Sequence, residues 1–385
     1  YFFVILLIYK FGSQKFIAKE GYFMQTPFIE IDLSKIEHNA GTITKLCNKH
    51  GITVAGVTKG TLGMPEVAQA MLNGGVKWIG ESRLDNMERL RKNNIHSPLL
   101  LMRSPHMSEI DRTISLADYS LNTEINIIQA LSESSLMQNK IHKIILMVDM
   151  GDLREGVMPE ELLPYAKEIV KMKGVQLAGI GMNLTDLNGT IPNYENNLRL
   201  VELAEEVENK CGIKLEYLSA GNSSSMKLLA SGKIPERINH FRLGESILLG
   251  RETIWREALP DTFQDAFVLS AEIIEKKLKP SVPIGEIGQD AFGNIPIIED
   301  KGMMDRGILN IGRQDVKIDG LIPREEGLYI MGATSDHLII DMTEVPEYKV
   351  GDIISFDLSY SAMLAAMTSP FVKKLLIRNS SSDNK

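Results

Sequence analysis

Cysteine is scarce in this sequence, with only Cys47 and Cys211 among 385 residues and no CxxC pair. This scarcity argues against a disulfide scaffold and a structural zinc site, and it favours a reducing compartment such as the cytoplasm. A basic excess is also missing, because 42 Lys and Arg stand against 50 Asp and Glu, for a net charge of −8. We therefore expect neither a nucleic-acid partner nor an anionic membrane partner.

A membrane-spanning apolar run is not found at the start of the chain either. Tyr1–Tyr9 is apolar but too short to cross a bilayer, and it lacks the basic region and cleavage site of a signal peptide. The codons of Lys19-Glu20-Gly21 can spell a ribosome-binding sequence just before Met24, so residues 1–23 resemble a translated leader. We expect Met24 to be the initiator; the alternative is that residues 1–23 form an interfacial anchor.

The composition of the whole chain is otherwise ordinary, with 44% hydrophobic and 24% charged residues, which excludes collagen, coiled coil and wholesale disorder. Short β-type runs alternate with helix-period segments such as Leu33–Cys47, where Ser34 and Glu37 are typical of a capping box. The alternation predicts an α/β fold, a (β/α)8 TIM-like barrel over residues 24–250. A doubly wound open sheet is the alternative, but no G-x-G-x-x-G follows the first strand. The eight runs are Val54–Val57, Val76–Ile79, Leu99–Met102, Tyr119–Leu121, Ile144–Val148, Val175–Ile180, Leu215–Leu218 and Ile238–Phe241.

The pattern changes after residue 250, where strand-like runs are separated by Gly, Pro and Asp and mostly lack helical segments between them. This predicts a smaller, mostly β C-terminal domain over residues 251–385. Its expected strands are Phe267–Ile274, Ile308–Ile311, Leu328–Met331, His337–Asp341 and Ile353–Tyr360.

In such a barrel the chemistry lies on the face where the strands end. One lysine, two arginines and a Gly/Ser-rich loop follow the predicted strands and are therefore expected on one rim. The segments are Thr58-Lys59-Gly60, Asp149 to Arg154, Asn183, Gly221–Ser225 and Arg242–Glu245.

Each of these features has two interpretations when taken alone. Lys59, partly buried at a strand end, would lose hydration and become a nucleophile suited to a Schiff base with an aldehyde cofactor; alternatively, it is a surface lysine. The N–H groups and hydroxyls of Gly221–Ser225 suit a phosphate, or they form an ordinary N-cap. Arg242 contributes to the site, or it pairs structurally with Glu245 or Glu252.

Together these features resemble the alanine racemase superfamily, the fold type III pyridoxal-phosphate enzymes, over residues 26–380, and the sequence is most similar to the alanine/ornithine racemase branch. The resemblance is carried by VTKG (57–60), VDMGDLREG (148–156), GIGMNL (179–184), GNSSS (221–225), FRLGESILLGRE (241–252), LNIGRQDV (309–316), TSDHLIID (334–341) and LSYSAMLAAM (358–367).

The resemblance implies a pyridoxal 5'-phosphate-dependent amino-acid racemase that acts as a homodimer, because in this family the C-terminal domain completes the partner's site. Lys59 would carry the cofactor and act as one of two bases, and Arg154 would help to hold the substrate carboxylate. Arg242 would face the pyridine nitrogen, where a guanidinium disfavours protonation. A decarboxylase of this fold usually has a carboxylate there, and a non-catalytic carrier of the cofactor resembles the barrel alone; both alternatives are less favoured.

The resemblance also implies a phosphate site. Ser223 would hold the phosphate together with the backbone near Asn222 and Gly244-Glu245. Tyr360 would close that site from the β domain.

The sequence departs from the alanine racemase pattern at four positions. These are Arg313 in place of the tyrosine second base, Ser335 in place of a methionine beside the substrate side chain, Asn183 in place of a histidine near the cofactor ring, and Met147 in place of a carbamylated lysine.

Two expectations follow from these departures. Arginine is a poor base, so the second base stays open among Asp315, Asp336, His337 and Tyr360. The pocket should be roomier and more polar, and Asp315 and Asp336 would pair with a distal ammonium. We therefore expect ornithine or lysine rather than alanine as substrate. The other histidines show no ligand spacing, and no metal site is expected.

Overall fold

The computed structural model describes residues 7–11, 14–19, 22–23 and 25–378. Within the segment expected to be a leader, three short strands form an antiparallel sheet; they are β1 (Leu7–Phe11), β2 (Gln14–Lys19) and β3 (Tyr22–Phe23). Met24, the expected initiator, lies outside the described residues. The next strand, β4 (Phe28–Asp32), pairs in the C-terminal sheet. Among the described residues, no helix has the length and apolar character needed to cross a membrane.

Eight parallel strands close into a barrel, and each overlaps one of the predicted apolar runs. In chain order they are β5 (Thr53–Val57), β6 (Trp78–Glu81), β7 (Leu99–Leu101), β8 (Tyr119–Asn122), β9 (His142–Met147), β10 (Val175–Gly181), β11 (Tyr217–Gly221) and β12 (His240–Leu243). Each strand pairs in parallel with the next, and β12 pairs with β5 to close the ring. The predicted barrel is confirmed, and closure excludes the open sheet.

The interior of the barrel holds a ring cluster. Trp78 stacks on Tyr119 with ring centroids 4.1 Å apart, and Tyr217 and His240 contact Trp78 at 4.8 Å and 4.7 Å. Met147 belongs to the same buried core. The side chain of Met147 therefore fills apolar space.

Helices accompany the barrel strands along the chain. Their bounds are α1 (Leu33–Asn48), α2 (Pro65–Asn73), α3 (Leu84–Lys92), α4 (Ile110–Leu116), α5 (Ile125–Met137), α6 (Pro159–Ile169), α7 (Tyr194–Cys211), α8 (Met226–Ala230) and α9 (Glu245–Leu249). The expected capping box at Ser34 is wrong, because Asp32 is the N-cap and accepts the N–H groups of Ser34 and Lys35 at 2.9 and 3.1 Å. Cys47 lies on the buried face of α1, where burial raises the pKa of its thiol to about 12, whereas Cys211 is partly exposed.

The C-terminal part is a mostly antiparallel sheet. Its elements are β13 (Phe267–Pro280), β14 (Met303–Leu309), β15 (Leu321–Pro323), β16 (Tyr329–Ala333), β17 (Leu338–Asp341), β18 (Ile353–Leu358), α10 (Tyr360–Thr368) and β19 (Lys373–Ile377). The strand order is β15-β18-β13-β14-β17-β16, and β4 pairs with both β13 and β19. The predicted mostly β domain is confirmed. The run expected to reach Tyr360 as a strand ends at Leu358, because Ser359 caps α10.

The chain divides into two compact units. One is Asp32–Ala266 with the residues from Ile377 onward, and the other is Phe267–Leu376 with the residues up to Ile31. The unit that contains the barrel thus continues to Ala266. Phe263 ties its last residues to α1, since the N–H and carbonyl group of Phe263 both bond to the side chain of Asn39, at 2.7 and 2.8 Å.

Candidate active site

Lys59 lies at the mouth of the barrel, two residues after the end of β5. It begins a single 3-10 turn, Lys59–Thr61, and its side chain is partly buried, as the sequence predicted. The preceding Thr58 is anchored, because its N–H donates to the carbonyl oxygen of Gly80 at 3.1 Å and its hydroxyl donates to Glu81 Oε1 at 2.9 Å. In the described part of the chain, no side chain or backbone group forms a hydrogen bond or ion pair with the Lys59 amine. The turn is fixed while the amine stays available.

Glu81, which the sequence pattern did not single out, ends β6 beside this turn. Its carboxylate is fully buried and accepts from Thr58, from Asn86 Nδ2 at 3.1 Å and from the Ser82 N–H at 2.9 Å. Burial raises the pKa of Glu81. An acidic residue directly at the end of an apolar strand was the signal that would have found it.

Arg242 on β12 is only 5% exposed. Its Nη1 donates to the carbonyl oxygen of Ser219 at 2.8 Å and to the hydroxyl of the same serine. Its Nη2 donates to the carbonyl oxygen of Met182 at 2.7 Å and lies 3.4 Å from Asn183 Oδ1. Burial lowers the pKa of Arg242 to about 10, so the guanidinium keeps its charge at neutral pH.

The alternative in which Arg242 pairs with Glu245 or Glu252 is wrong. Glu245 pairs with Arg256, whose Nη1 lies 2.6 Å from Glu245 Oε2, and burial raises the pKa of Glu245. The buried carboxylate of Glu252 accepts three backbone N–H groups from residues 254–257. Both acids thus hold the segment after α9 and leave Arg242 to other partners.

The loops after β11 and β12 are tied together through serine hydroxyls. Ser223 Oγ accepts the N–H of Ser246 at 3.1 Å and lies 3.1 Å from its hydroxyl oxygen. Asn222 orients the first loop, since its Oδ1 accepts the Ser224 N–H at 2.9 Å and its Nδ2 donates to Leu184 O at 2.8 Å. The expected Ser-rich loop is thus a buried turn, Ser223–Ser225, in which the hydroxyls of Ser223 and Ser224 bond to neighbouring side chains.

Gly244 brings the loop after β12 close to β5, the strand that precedes Lys59. A Cβ built on Gly244 would lie 3.3 Å from the Cβ of Val57, the last residue of β5. A Cβ on Gly221 would meet the ring of Phe241 at 2.3 Å. Both glycines therefore allow close approach of neighbouring strands at the rim.

Asn183 connects three other predicted residues, Arg242, Asn222 and, through Asp186, Arg154. Its Oδ1 lies 3.4 Å from Nη2 of Arg242 and 3.4 Å from Nδ2 of Asn222. Its own Nδ2 donates to Asp186 at 2.9 Å, and Asp186 accepts from Arg154 at 3.2 Å. Asp186 was missed by the sequence analysis because it follows β10 by five residues, inside a loop.

Asp152 clamps the loop that carries Arg154 to the loop that carries Asp186. Its carboxylate is 1% exposed and accepts the backbone N–H groups of Leu187 at 2.9 Å and Asn188 at 3.2 Å. Burial opposes ionisation of Asp152, but these backbone bonds hold its pKa below the usual value. The clamp fixes the distance between Arg154 and its acidic partner.

Backbone strain is found beside the predicted residues. Seven of the described non-glycine residues have left-handed backbone conformations, which cost on the order of 1–3 kcal/mol and persist where surrounding contacts impose them. Three of the seven, Leu62, Leu153 and Thr185, have φ of 55°, 53° and 79° and lie within three residues of Lys59, Arg154 and Asn183.

The predicted site residues of the β domain lie in the compact unit that contains Phe267–Leu376. Asp315 is 4% exposed, and its two oxygens accept from Ser369 Oγ at 3.0 Å and from the Gly312 N–H at 3.2 Å. Asp336 is exposed and lies 3.1 Å from Nδ1 of His337. Tyr360 is the first residue of α10 and is partly buried.

Arg313, at the position of the family's second base, is exposed on the same unit. Its Nε donates to the carbonyl oxygen of Ala333 at 2.9 Å, and its guanidinium lies 4.6 Å from the ring centroid of Phe292. Over the described residues, no group of three His, Cys, Asp or Glu side chains is arranged to hold a metal ion.

The family model for the N-terminal domain of alanine racemase matches residues 31–252, which include the whole barrel. This chain belongs to the alanine racemase family. The racemase is 41% identical to an ornithine racemase from Acetoanaerobium sticklandii and 39% identical to a lysine racemase from Thermotoga maritima; each match covers 91% of this chain and 99% of the relative. Its fold matches that of a Clostridium difficile alanine racemase with a TM-score of 0.69 at 19% identity, over 92% of this chain and 97% of the other. The protein is an amino-acid racemase.

Proposed function

We propose that this racemase interconverts the L and D forms of ornithine or lysine, with pyridoxal 5'-phosphate bound through the amine of Lys59. The observation that carries the proposal is the Lys59 amine itself, partly buried at the barrel mouth and engaged by no described residue. A lysine without a salt-bridge partner in such a place is suited to react with an aldehyde and to exchange protons. The relatives named for ornithine and lysine support the substrate class.

The residues around Lys59 fit this cofactor. The four N–H bonds of the two terminal nitrogens of Arg242 are directed at Ser219, Met182 and Asn183, whereas its Nε has no partner among the described residues. That leaves one N–H donor for a ring nitrogen. The hydroxyl-rich turn at Ser223 provides donors for a phosphate. When bound, the cofactor would supply a conjugated ring that makes the substrate Cα–H acidic.

The remaining chemistry belongs to the protein. Lys59 would take or return the Cα proton on one face of the substrate, and general acid–base help of this kind is typically worth about 10²–10⁴-fold. Arg154 would bind the substrate carboxylate in the place of Asp186 and of Glu155, which also forms an ion pair with its guanidinium. Arg242 cannot accept a proton, so it would keep the facing ring nitrogen unprotonated and limit the lifetime of negative charge at Cα.

The second base and the distal ammonium site are assigned to the β domain. Asp315 is buried with both oxygens hydrogen-bonded, whereas Asp336 is exposed beside Ser335 and His337. We therefore favour Asp336 over Asp315 as the partner of a distal ammonium, and His337 or Tyr360 as second base. A homodimer in which the β domain of one chain completes the partner's site follows from the family resemblance.

A chiral assay of the cofactor-supplemented protein tests the proposal. L-ornithine, L-lysine and L-alanine are incubated separately in deuterated water, and the products are separated by chiral chromatography with detection of deuterium at Cα. We expect racemates of ornithine or lysine with a higher kcat/KM than alanine. We also expect a yellow absorbance band that borohydride bleaches as it fixes the cofactor onto Lys59. An amine product would indicate a decarboxylase, unchanged input a carrier, and an alanine preference would reject the substrate assignment.

A further inference from the structure

A chain of hydrogen bonds runs from Arg242 into the barrel and ends at a histidine with no role so far. Arg242 Nη1 donates to the hydroxyl of Ser219, and that hydroxyl lies 2.7 Å from Nδ1 of His240. Ser219 and His240 are both completely buried. The path from Arg242 to His240 therefore passes through a single hydroxyl group.

The protons of this chain have a fixed direction. A guanidinium only donates, so the Ser219 oxygen accepts from Arg242. Among the described residues His240 Nδ1 is the one acceptor within reach of the Ser219 proton, so we assign that proton to Nδ1, which makes the imidazole neutral with its own proton on Nε2. Burial, together with the charge of Arg242, lowers the pKa of His240 to about 3, in agreement with this assignment.

The other nitrogen of His240 is buried without a hydrogen-bond partner among the described residues. It is enclosed by the rings of Trp78 and Tyr217, whose centroids lie 4.7 and 5.7 Å from that of the imidazole. A leucine in this place would satisfy the apolar surroundings at lower desolvation cost. The one polar contact that a histidine gains here is the acceptor it offers to Ser219.

We infer that His240 is a positioning residue for racemisation: by accepting the Ser219 proton, it turns the Ser219 oxygen toward Arg242 and fixes the plane of that guanidinium. This inference rests on the proposed function, in which Arg242 faces the ring nitrogen of the cofactor. Loss of the acceptor lets the Ser219 hydroxyl rotate, which weakens its bond to Arg242 and loosens the Nη1 side of a guanidinium that Ser219 O and Met182 O still hold.

The barrel contains a matched control for this chain. On β8 and β9, Asn122 Nδ2 donates to the hydroxyl of Ser120 at 2.8 Å, and that hydroxyl lies 2.8 Å from Nε2 of His142. His142 is also buried, and burial lowers its pKa to about 4. This donor–serine–histidine chain has the same chemistry but no connection to Arg242.

The experiment compares His240→Leu and Ser219→Ala with His142→Leu and Ser120→Ala in the cofactor-loaded protein. Two readouts are taken: the pH titration of the visible absorbance band of the bound cofactor, and kcat and KM for the preferred substrate. We expect the first pair to shift the spectral titration and to lower kcat about tenfold or more with little change in KM, because a hydrogen bond to a charged group is lost. His142→Leu and Ser120→Ala should lower only the midpoint temperature of thermal unfolding.

Rescue separates positioning from packing. His240→Asn keeps an acceptor near the Nδ1 position and should restore the spectral titration, and Ser219→Ala tests the link if His240→Leu does not fold. If the His240 and Ser219 variants have the same spectra and kcat as the His142 and Ser120 variants, while the wild type binds cofactor and racemises, the role of His240 is overturned and the proposed function stands. A wild type that neither forms the band nor racemises would instead overturn the proposed function.

Discussion

The rim of the barrel and the loops of the β domain both carry predicted site residues, but they hold them differently. At the rim, Arg154, Asn183, Asn222 and Arg242 are joined through side-chain hydrogen bonds and one acidic neighbour. In the β domain, one predicted aspartate is sealed inside the unit and the other is exposed. Under the proposed function, the hydrogen-bonded rim would form the binding frame, and the exposed Asp336 of the β domain would select the substrate.

The largest effect expected from this contrast is at Lys59. Lys59→Ala removes the only amine at the rim proposed to carry the cofactor and to move the Cα proton, so racemisation should fall by about 10⁴-fold or more. Chiral chromatography measures the rate, and borohydride treatment followed by peptide mass spectrometry locates the modified lysine. Lys171→Ala, an exposed lysine after α6, should match the wild type. A Lys59→Ala protein that still racemises at a comparable rate would remove the rim from the mechanism.

Arg154 should show the next largest effect. Arg154→Ala removes the proposed partner of the substrate carboxylate and leaves Asp186 unpaired, so KM should rise and kcat/KM should fall by about 10²-fold, as for the loss of a charge-assisted contact. Steady-state kinetics with the preferred enantiomer gives both constants. Arg199→Ala, which breaks a surface ion pair on α7, is the control and should change neither. An unchanged KM for Arg154→Ala would show that its acidic neighbours occupy it permanently.

Asp315 and Asp336 sharpen the comparison within the β domain. Asp315→Asn weakens two buried hydrogen bonds, so the free energy of unfolding should fall by about 1–3 kcal/mol while substrate preference is kept. Asp336→Asn should leave stability unchanged and lower kcat/KM for ornithine and lysine about tenfold, without lowering that for alanine. Urea unfolding and kinetics on the three substrates separate the two variants. The reverse pattern would make the buried aspartate the substrate partner.

The smallest expected effect is a pH dependence of stability from the barrel histidines. Burial lowers the folded-state pKa of His142 to about 4 and that of His240 to about 3, against an ordinary value of 6.5. The unfolded chain therefore binds protons that the folded chain does not, and stability is lost as the pH falls from about 6.5 to about 4, by up to about 1.4 kcal/mol per pH unit for each histidine. His142→Leu should reduce this slope in urea unfolding between pH 7 and pH 5. Identical slopes would show that other groups govern the acid response.

Strand positions and rim residues were predictable because, in a parallel barrel, each strand is an apolar run and the rim residue follows it directly in the sequence. Each apolar run became a strand, and the polar residue after it came to the rim. The partners Asp186, Ser219 and Ser246 were not predictable, because they reach the site through loop geometry or through pairing of strands distant in sequence. Ser219 looked like an ordinary strand residue, and only the register between β11 and β12 brings its hydroxyl to His240.

In the β domain the sequence alone was less informative. Asp315 was predicted to be a site residue on its charge, but it is buried and accepts a hydrogen bond from Ser369, which lies far along the chain. The strand β4 was likewise not assigned to this domain, because its partners β13 and β19 follow the entire barrel. Such strands pair although they are far apart in the sequence, so no local pattern predicts the pairing.

The position of β4 has a consequence for how the protein is made. It is synthesised before the barrel, yet it lies between β13 and β19, both of which leave the ribosome after it. The β domain cannot complete its sheet until β19 has been translated, and a fragment cut away from the barrel at residue 267 would expose two bare strand edges prone to intermolecular pairing. Domain shuffling that swaps the C-terminal half between relatives therefore has to carry the short N-terminal strand with it.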